Sequence, residues 1–256
     1  MARASLIAAT LALLVSSALA VDVDGFLAGT NRDCSGCDLS GRDLHGRELK
    51  QSILDGAKLG KVNLTDGSLF RASLEHTDFS GATLVRANFN LVDAKWADFS
   101  GADLTDALLY EADLSRATLA KTNLSGARLG HARLIQTNLQ DAKLTNADLR
   151  DARLADVTLT GADMRGATLN GLNLRGLDLQ GIDFTMANMI GTDLTGANLS
   201  GAILAGVDLL NANLHGADLR GTSFEGANLN NAIMSDVQSD GAKFDAAIMP
   251  DGRRAK

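Results

Sequence analysis

Large apolar residues recur at every fifth position along most of this chain. Leu39, Leu44, Leu49, Leu54, Leu59 and Leu64 open a phase that continues to Phe244 and Met249. In steps of five across that span only Ala94 and Ser239 are not large and apolar, and no insertion shifts the phase. Two positions before each centre the residue is usually small, as at Ala72, Ala82, Ala87, Ala97, Ala102 and Ala107. The residue between the two is commonly Asp, Asn or Thr, and Gly often closes the unit. A period of five matches neither the 3.6-residue turn of a helix nor the two-residue alternation of a strand. It predicts a short extended step and a turn, repeated, so that the chain coils with one large and one small side chain inward per unit. A single coil cannot bury its apolar face alone. Stacked coils can, and each then contacts only its neighbours.

Units such as Ala102-Asp103-Leu104-Thr105-Asp106 and Ala197-Asn198-Leu199-Ser200-Gly201 resemble the pentapeptide-repeat family, and the resemblance covers residues 37–249. It implies an all-β fold, a right-handed quadrilateral β-helix with four units per coil and about ten to eleven coils. Residues twenty apart then stack, an arrangement with which the spacing of Phe79 and Phe99, and of Phe224 and Phe244, agrees. At ~4.8 Å per coil the rod is about 50 Å long.

Departures from the pattern are the places to look for function. Ala94 predicts a void beside Phe89 and Phe99 that Val92 fills in part. Leu172, Leu177 and Ile182 replace the small inward residue in three successive units and predict one locally widened coil. Facing outward, Phe70, Tyr110, Ile190 and Leu210 differ by multiples of twenty and are expected in one column, with Leu91, Trp96 and Leu108 on or beside the same face. The only Trp and the only Tyr of the chain fall in this group, and both types are enriched in interface hot spots. Phe70, Leu91, Trp96, Leu108 and Tyr110 are therefore the candidate surface for a protein partner whose identity the sequence does not state.

The ends read differently from the repeat. Residues 1–20 have a short basic start, the uncharged run Leu6–Val15 and Ala18-Leu19-Ala20, the three regions of a secretory signal peptide. Residues 21–36 are expected to cap the first coil, with Val21, Val23, Phe26 and Leu27 packing over it as a short helix or strand. Residues 250–256 are expected to form a tail, with a turn at Met249-Pro250-Asp251-Gly252 and a frayed end from Arg253. Cys34 and Cys37 are the only cysteines. Their C-x-x-C spacing lacks the strand–helix context of a thioredoxin-like pair, and zinc would need two further ligands with His45 alone nearby. In an exported chain a structural disulfide is the expected outcome. Exported members of the resembled family often open in this way, with Cys-x-x-Cys-Asp-Leu-Ser-Gly.

Composition fits a narrow aliphatic interior: eight Phe, one Tyr and one Trp in 256 residues supply little of the bulk of an ordinary core. Net charge is −7, and loss of Arg3 with the leader leaves 23 basic and 31 acidic residues. That balance disfavours a nucleic-acid binder, which must neutralise phosphates. Charge is not even along the rod. Residues 116–153 hold Arg116, Lys121, Arg128, Arg133, Lys143, Arg150 and Arg153 against three acidic residues, a net of +4.

Little points to catalysis. His45, His76, His131 and His215 are far apart and predicted outward, and no phosphate loop, metal-ligand cluster or calcium-binding GGxGxD repeat is present. A rod with a filled interior offers no concave site, so no catalytic residue, cofactor or metal is expected. The reading is an exported structural or protein-interaction module in the periplasm or outside the cell, or in a thylakoid lumen if the source is photosynthetic. No membrane insertion follows signal cleavage, and a homodimer through an end or the apolar face is a further expectation. The alternative, which the family resemblance allows for a chain that is not exported, is an acidic DNA-mimicking inhibitor of a type II topoisomerase.

Overall fold

The computed structural model describes residues 22–256; the expected leader Met1–Ala20 and Val21 of the cap lie outside them. Parallel β-bridges join residues twenty apart, from Asp33 with Ile53 to Asn228 with Ile248. A register of twenty is four five-residue units per turn, which makes the coil four-sided. Each unit carries the minimum of strand pairing. The Leu39 N–H donates to the Lys58 carbonyl at 2.7 Å and the Lys58 N–H donates to the Cys37 carbonyl at 2.8 Å, and the pattern repeats along the rod. The four faces are named by their first centres: the first carries Leu39, the second Leu44, the third Leu49 and the fourth Leu54.

The corners between faces explain the closing glycines. There the backbone takes the left-handed conformation, with φ of 66° at Gly101, and Asp or Asn stands in at Asp66, Asp106 and Asn146 with φ of 57°, 56° and 58°. These are the residue types for which that region costs least. The inward side chains then stack coil on coil. Phe79 lies over Phe99 with ring centres 5.0 Å apart and planes 3° from parallel, and Phe224 over Phe244 at 5.1 Å. Phe89 stands edge-on to Phe79 and Phe99 at 5.7 and 5.9 Å, bringing aromatic bulk and the buried Val92 beside Ala94. Where Thr occupies the small inward position its hydroxyl is not stranded. Thr77, Thr122 and Thr137 donate at 2.8 Å to carbonyls of the preceding coil, those of Leu54, Phe99 and Leu114.

The ladder opens at one place. Bridges between Arg153 and Asn173 and between Thr158 and Asp178 are missing from an otherwise continuous series. The inter-coil bonds expected from the N–H groups of Leu154, Asp156, Leu159, Gly161, Asn173 and Asp178 are missing with them. Pairing persists on either side, with Leu149 N–H to the Thr168 carbonyl at 2.9 Å and Met164 N–H to the Asp183 carbonyl at 2.9 Å. The opening is therefore a half-turn seam across the fourth and first faces. Its cause is the widened coil. Leu172, Leu177 and Ile182 stand above Ala152, Val157 and Ala162, so two branched side chains, Val157 and Leu177, compete for one corner. Overfilling a close-packed site displaces backbone. A cleft of about 450 Å³ lined by Leu154, Ala155, Arg175 and Leu177 lies along the seam.

Both ends are covered. Helix α1 (Val23–Leu27) is capped by Asp22, whose carboxylate accepts the Gly25 N–H at 2.8 Å, and it buries Phe26, with Val23 and Leu27 packed beside it. Arg47 donates to the Leu27 carbonyl and ties the helix to the coil below. Pairing starts one unit before the expected boundary at residue 37: Asp33 bridges Ile53, and Cys34 is a buried centre in its own right. At the other end the expected frayed tail is instead a return strand. Gly252 N–H closes a turn onto the Met249 carbonyl at 2.9 Å, Arg254 bridges Ile248 antiparallel, and Ala255 N–H reaches the Ala247 carbonyl at 2.7 Å. Pro250 and Asp251 at the turn make the reversal, which pairs backbone groups that a straight tail would leave open.

Candidate functional site

Because each unit turns the chain through a quarter of the coil, a residue's face follows from its place in the twenty-residue register. Phe70, Leu108 and Tyr110 stand on the third face, together with Ile190 and Leu210, and Leu91 sits at the corner between the third and fourth faces. Trp96 does not share that face, contrary to expectation. It lies one corner further on, between the fourth and first faces, across a surface formed by Lys95, Asp113, Arg133 and Ile135. The expected single cluster is two aromatic foci separated by the fourth face.

Each focus has its own partners. Trp96 is 40 % exposed, a large apolar side chain in a polar setting. It stacks on His76 with centroids 5.1 Å apart and planes 8° from parallel, and the Arg116 guanidinium lies 5.4 Å from its ring. Arg116 Nε in turn donates to Gln136 at 2.9 Å, so the corner column His76, Trp96, Arg116 and Gln136 is tied along its length. Trp96 has φ of 55° and Leu91 φ of 61°, the left-handed backbone that an L side chain occupies at a cost. Tyr110, 44 % exposed, meets His131 edge-on at 5.2 Å. Glu111 beside the Tyr110 hydroxyl raises its pKa above the ordinary phenol value, with desolvation adding to the shift.

Electrostatics concentrate between the foci. Lys95 is surrounded by Asp93, Glu75 and Asp113 at 2.6, 3.6 and 3.8 Å, and hydrogen bonding to Asp93 lifts its ammonium above the usual Lys range. The basic stretch is spread around the coil but densest on two faces. Arg128 and Arg150 stand on the third face and Arg133 and Arg153 on the fourth, while Arg116 and Lys121 lie at the two corners of the first face and Lys143 on the second. Arg150 is held by Asp148 at 2.6 Å and Arg133 by Asp113 at 3.3 Å. Arg128 and Arg153 have no carboxylate within 4 Å among the described residues. Further exposed hydrophobes lie outside the expected surface: Ile53, Met186, Ile203 and Ile233. Each carries a signal in the repeat: Met186 stands in the closing position where Gly is usual, and Ile53, Ile203 and Ile233 stand where Asp, Asn or Thr is common.

Other candidates resolve simply. The Cα atoms of Cys34 and Cys37 are 5.2 Å apart with their sulfurs at bonding distance. The four histidines are all exposed or half-buried at the surface. Among the described residues no group of three or more His, Cys, Asp or Glu side chains is placed to hold a metal ion. Nor, among those residues, is any helix long and apolar enough to cross a membrane.

Comparison with known proteins bears on the architecture. The family model described as "Pentapeptide repeats" matches in eight copies, over residues 33–67, 68–106, 112–151, 132–171, 147–185 and 187–226. Comparison with curated sequences finds no match. Among solved structures, a trypsin-treated form of QnrB1, a plasmid-mediated fluoroquinolone resistance protein, superposes with a TM-score of 0.54 at 20% identity, covering 73% of this chain and 89% of that one. HetL, a pentapeptide repeat protein involved in heterocyst differentiation regulation in the cyanobacterium Nostoc, is 29% identical over 90% of this chain and 96% of its own, with a TM-score of 0.31. A pentapeptide repeat protein of the Arabidopsis thaliana thylakoid lumen is 33% identical over 40% of this chain and 68% of its own, again with a TM-score of 0.31.

Proposed function

Since this chain belongs to the pentapeptide-repeat family, whose members are right-handed quadrilateral β-helices and in general structural or interaction modules, we propose that it is a non-catalytic, exported module presenting a rigid surface to a protein partner. In this reading residues 1–20 direct export and are removed, and Cys34 and Cys37 form a disulfide that clips the start of a rod of ten to eleven coils. The destination is the periplasm or the cell exterior, or a thylakoid lumen in a photosynthetic source.

One observation carries the proposal. Trp96, the only Trp in the chain, is held outward in a left-handed corner, stacked on His76 and flanked by Arg116. Nothing in the core requires it there, and glycine would relieve the backbone. Aromatic and arginine side chains on a preorganised scaffold are the usual anchors of a protein interface. A β-helix supplies that preorganisation, because neighbouring coils hold every outward side chain in register. Tyr110 and Leu108 on the third face extend the surface around the rod.

The test is affinity capture from the native host with wild-type bait and with the double variant Trp96→Ala, Tyr110→Ala. Loss of a wild-type-specific partner, at unchanged thermal stability, is the expected outcome; equal recovery by both baits would overturn the surface. The topoisomerase-inhibitor alternative fares less well on charge. The third and fourth faces between residues 116 and 153 are rich in Arg, which breaks up an acidic stripe. N-terminal sequencing of native material separates the two readings, since an intact Met1–Ala20 in the cytosol would favour the alternative.

A further inference from the structure

In most units the N–H of the residue after the centre is occupied by an oxygen from the side chain two residues earlier. Ser40 N–H donates to Asp38 at 2.9 Å, Ser100 N–H to Asp98 at 2.8 Å and Arg150 N–H to Asp148 at 3.1 Å. Where the preceding side chain does not serve, the equivalent side chain one coil earlier can, as Asp55 does for Glu75 N–H at 2.9 Å and Asn90 for Tyr110 N–H at 2.8 Å. The repeat thus builds, again and again, a donor that points out of the face and takes a carboxylate or amide oxygen.

At Gly130 every supplier of that oxygen is gone. The residue two before it is Arg128, and the residue one coil earlier is Tyr110. Gly130 N–H has no acceptor among the described residues. The same replacement of Asp or Asn by a cation occurs before Ile135, Thr145 and Ala155, but each of those has a side chain of its own. Gly60 also follows a cation, Lys58, yet oxygens of Asp78 and Ser80 lie 3.5 Å from where its Cβ would be and fill that space. At Gly130 the gap is instead a cleft of about 480 Å³ on the third face. Tyr110 walls it on one side along the rod and Arg150 on the other, with Arg128 and His131 across it. A Cβ built on Gly130 would stand 3.4 Å from the Tyr110 ring, so the ring closes directly on the socket. The local carboxylates are spoken for: Asp148 is held by Arg150 at 2.6 Å, and Asp151 lies 3.5 Å from His131. Among the cations here, Arg128 alone has no carboxylate in contact.

The geometry points to an oxyanion site at Gly130, distinct from the Trp96 focus and independent of whether a protein partner binds there. The ligand group is a single carboxylate or phosphate. One of its oxygens takes the Gly130 N–H that an Asp or Asn side chain takes elsewhere, and its charge meets the Arg128 guanidinium. Charge-assisted hydrogen bonds from a cation and a backbone donor are the stronger members of their class, and convergent backbone and cationic donors suit anions.

Proton–nitrogen correlation spectra of the full chain test this directly, because the Gly130 amide is the proposed donor. Titration with sodium acetate and, separately, with inorganic phosphate is expected to shift the Gly130 amide saturably, while the Ser100 amide, already occupied by Asp98, stays still. Arg128→Gln should weaken the apparent affinity about tenfold, the scale of one lost hydrogen bond to a charged group. Gly130→Leu, which places a branched side chain beside the donor, should abolish the anion-dependent shift of the His131 amide. Tighter acetate binding assigns a carboxylate ligand, and tighter phosphate binding a phosphorylated one. A Gly130 shift that fails to saturate with either anion, or that Arg128→Gln leaves unchanged, overturns the site.

Discussion

At the residue scale the fold rests on three roles repeated every five positions: a large inward side chain, a small one, and a corner in the left-handed region. The first two were legible because burial selects size, and size shows directly in the sequence. The corner was legible where Gly or Asn occupies it and opaque at Trp96 and Leu91, which take the same left-handed φ with side chains that do not favour it. The misplacement of Trp96 has a geometric origin. Leu91 and Trp96 are five residues apart, and in a four-sided coil five residues are a quarter-turn, so closeness in sequence became separation on the surface. The backbone cost itself is measurable at Gly101, which has φ of 66° and open space, with nothing within 4 Å of where a Cβ would stand. Gly101→Ala therefore adds no clash, and the expected loss of about 1 kcal/mol is purely conformational. The denaturation midpoint checks it; an unshifted midpoint would mean that the corner tolerates L side chains freely, as its 23 non-glycine occupants among the described residues would then suggest.

At the scale of the single coil, stability comes from lateral pairing, and the seam shows what happens when side-chain volume and pairing conflict. The sequence announced the wide coil through Leu172, Leu177 and Ile182. It did not announce the lost ladder, because bulk at one corner is harmful only when the residue twenty positions earlier is also bulky, as Val157 is. Two expectations follow at this scale. Amides of Leu159 and Gly161 should exchange with solvent far faster than those of Leu139 and Asp141 one coil below, which donate to Thr158 and Thr160 carbonyls at 2.8 and 3.0 Å. Leu177→Ala should relieve the corner, cost less than about 1 kcal/mol and slow exchange at Leu159. The same change at the well-packed Leu129 should cost about 2–5 kcal/mol. Equal losses at both positions would show that Leu177 is ordinary core.

Across the whole molecule many weak surface contacts act in parallel. Asp148, Asp163 and Asp218 each hydrogen-bond the Arg two residues on, Arg150, Arg165 and Arg220, and that contact, with the backbone N–H of the same residue, holds their carboxyls below the ordinary value. A carboxyl whose pKa is lower in the folded than in the unfolded state stabilises the fold fully above the unfolded value, about 3.9, and loses that contribution as pH falls through the folded one. Thermal stability should therefore be level from neutral pH to about 5 and decline below about 4. The combined Asp148→Asn, Asp163→Asn and Asp218→Asn variant should decline less steeply. Because the Arg partners of these half-buried carboxylates are themselves exposed, added salt should shrink the difference. The return strand at the C-terminal end has a different reach. Coils stacked one on another contain no internal instruction to stop, since the last coil offers an open edge to any strand that can reach it. Arg254 and Ala255 occupy that edge with a strand of opposite direction. With α1 still covering the first coil, deleting residues 250–256 frees one edge per molecule, and discrete particles should become tail-to-tail dimers whose fraction, followed by light scattering, grows with concentration. The last few residues thus keep the molecule from pairing with a second copy while contributing almost nothing to its interior.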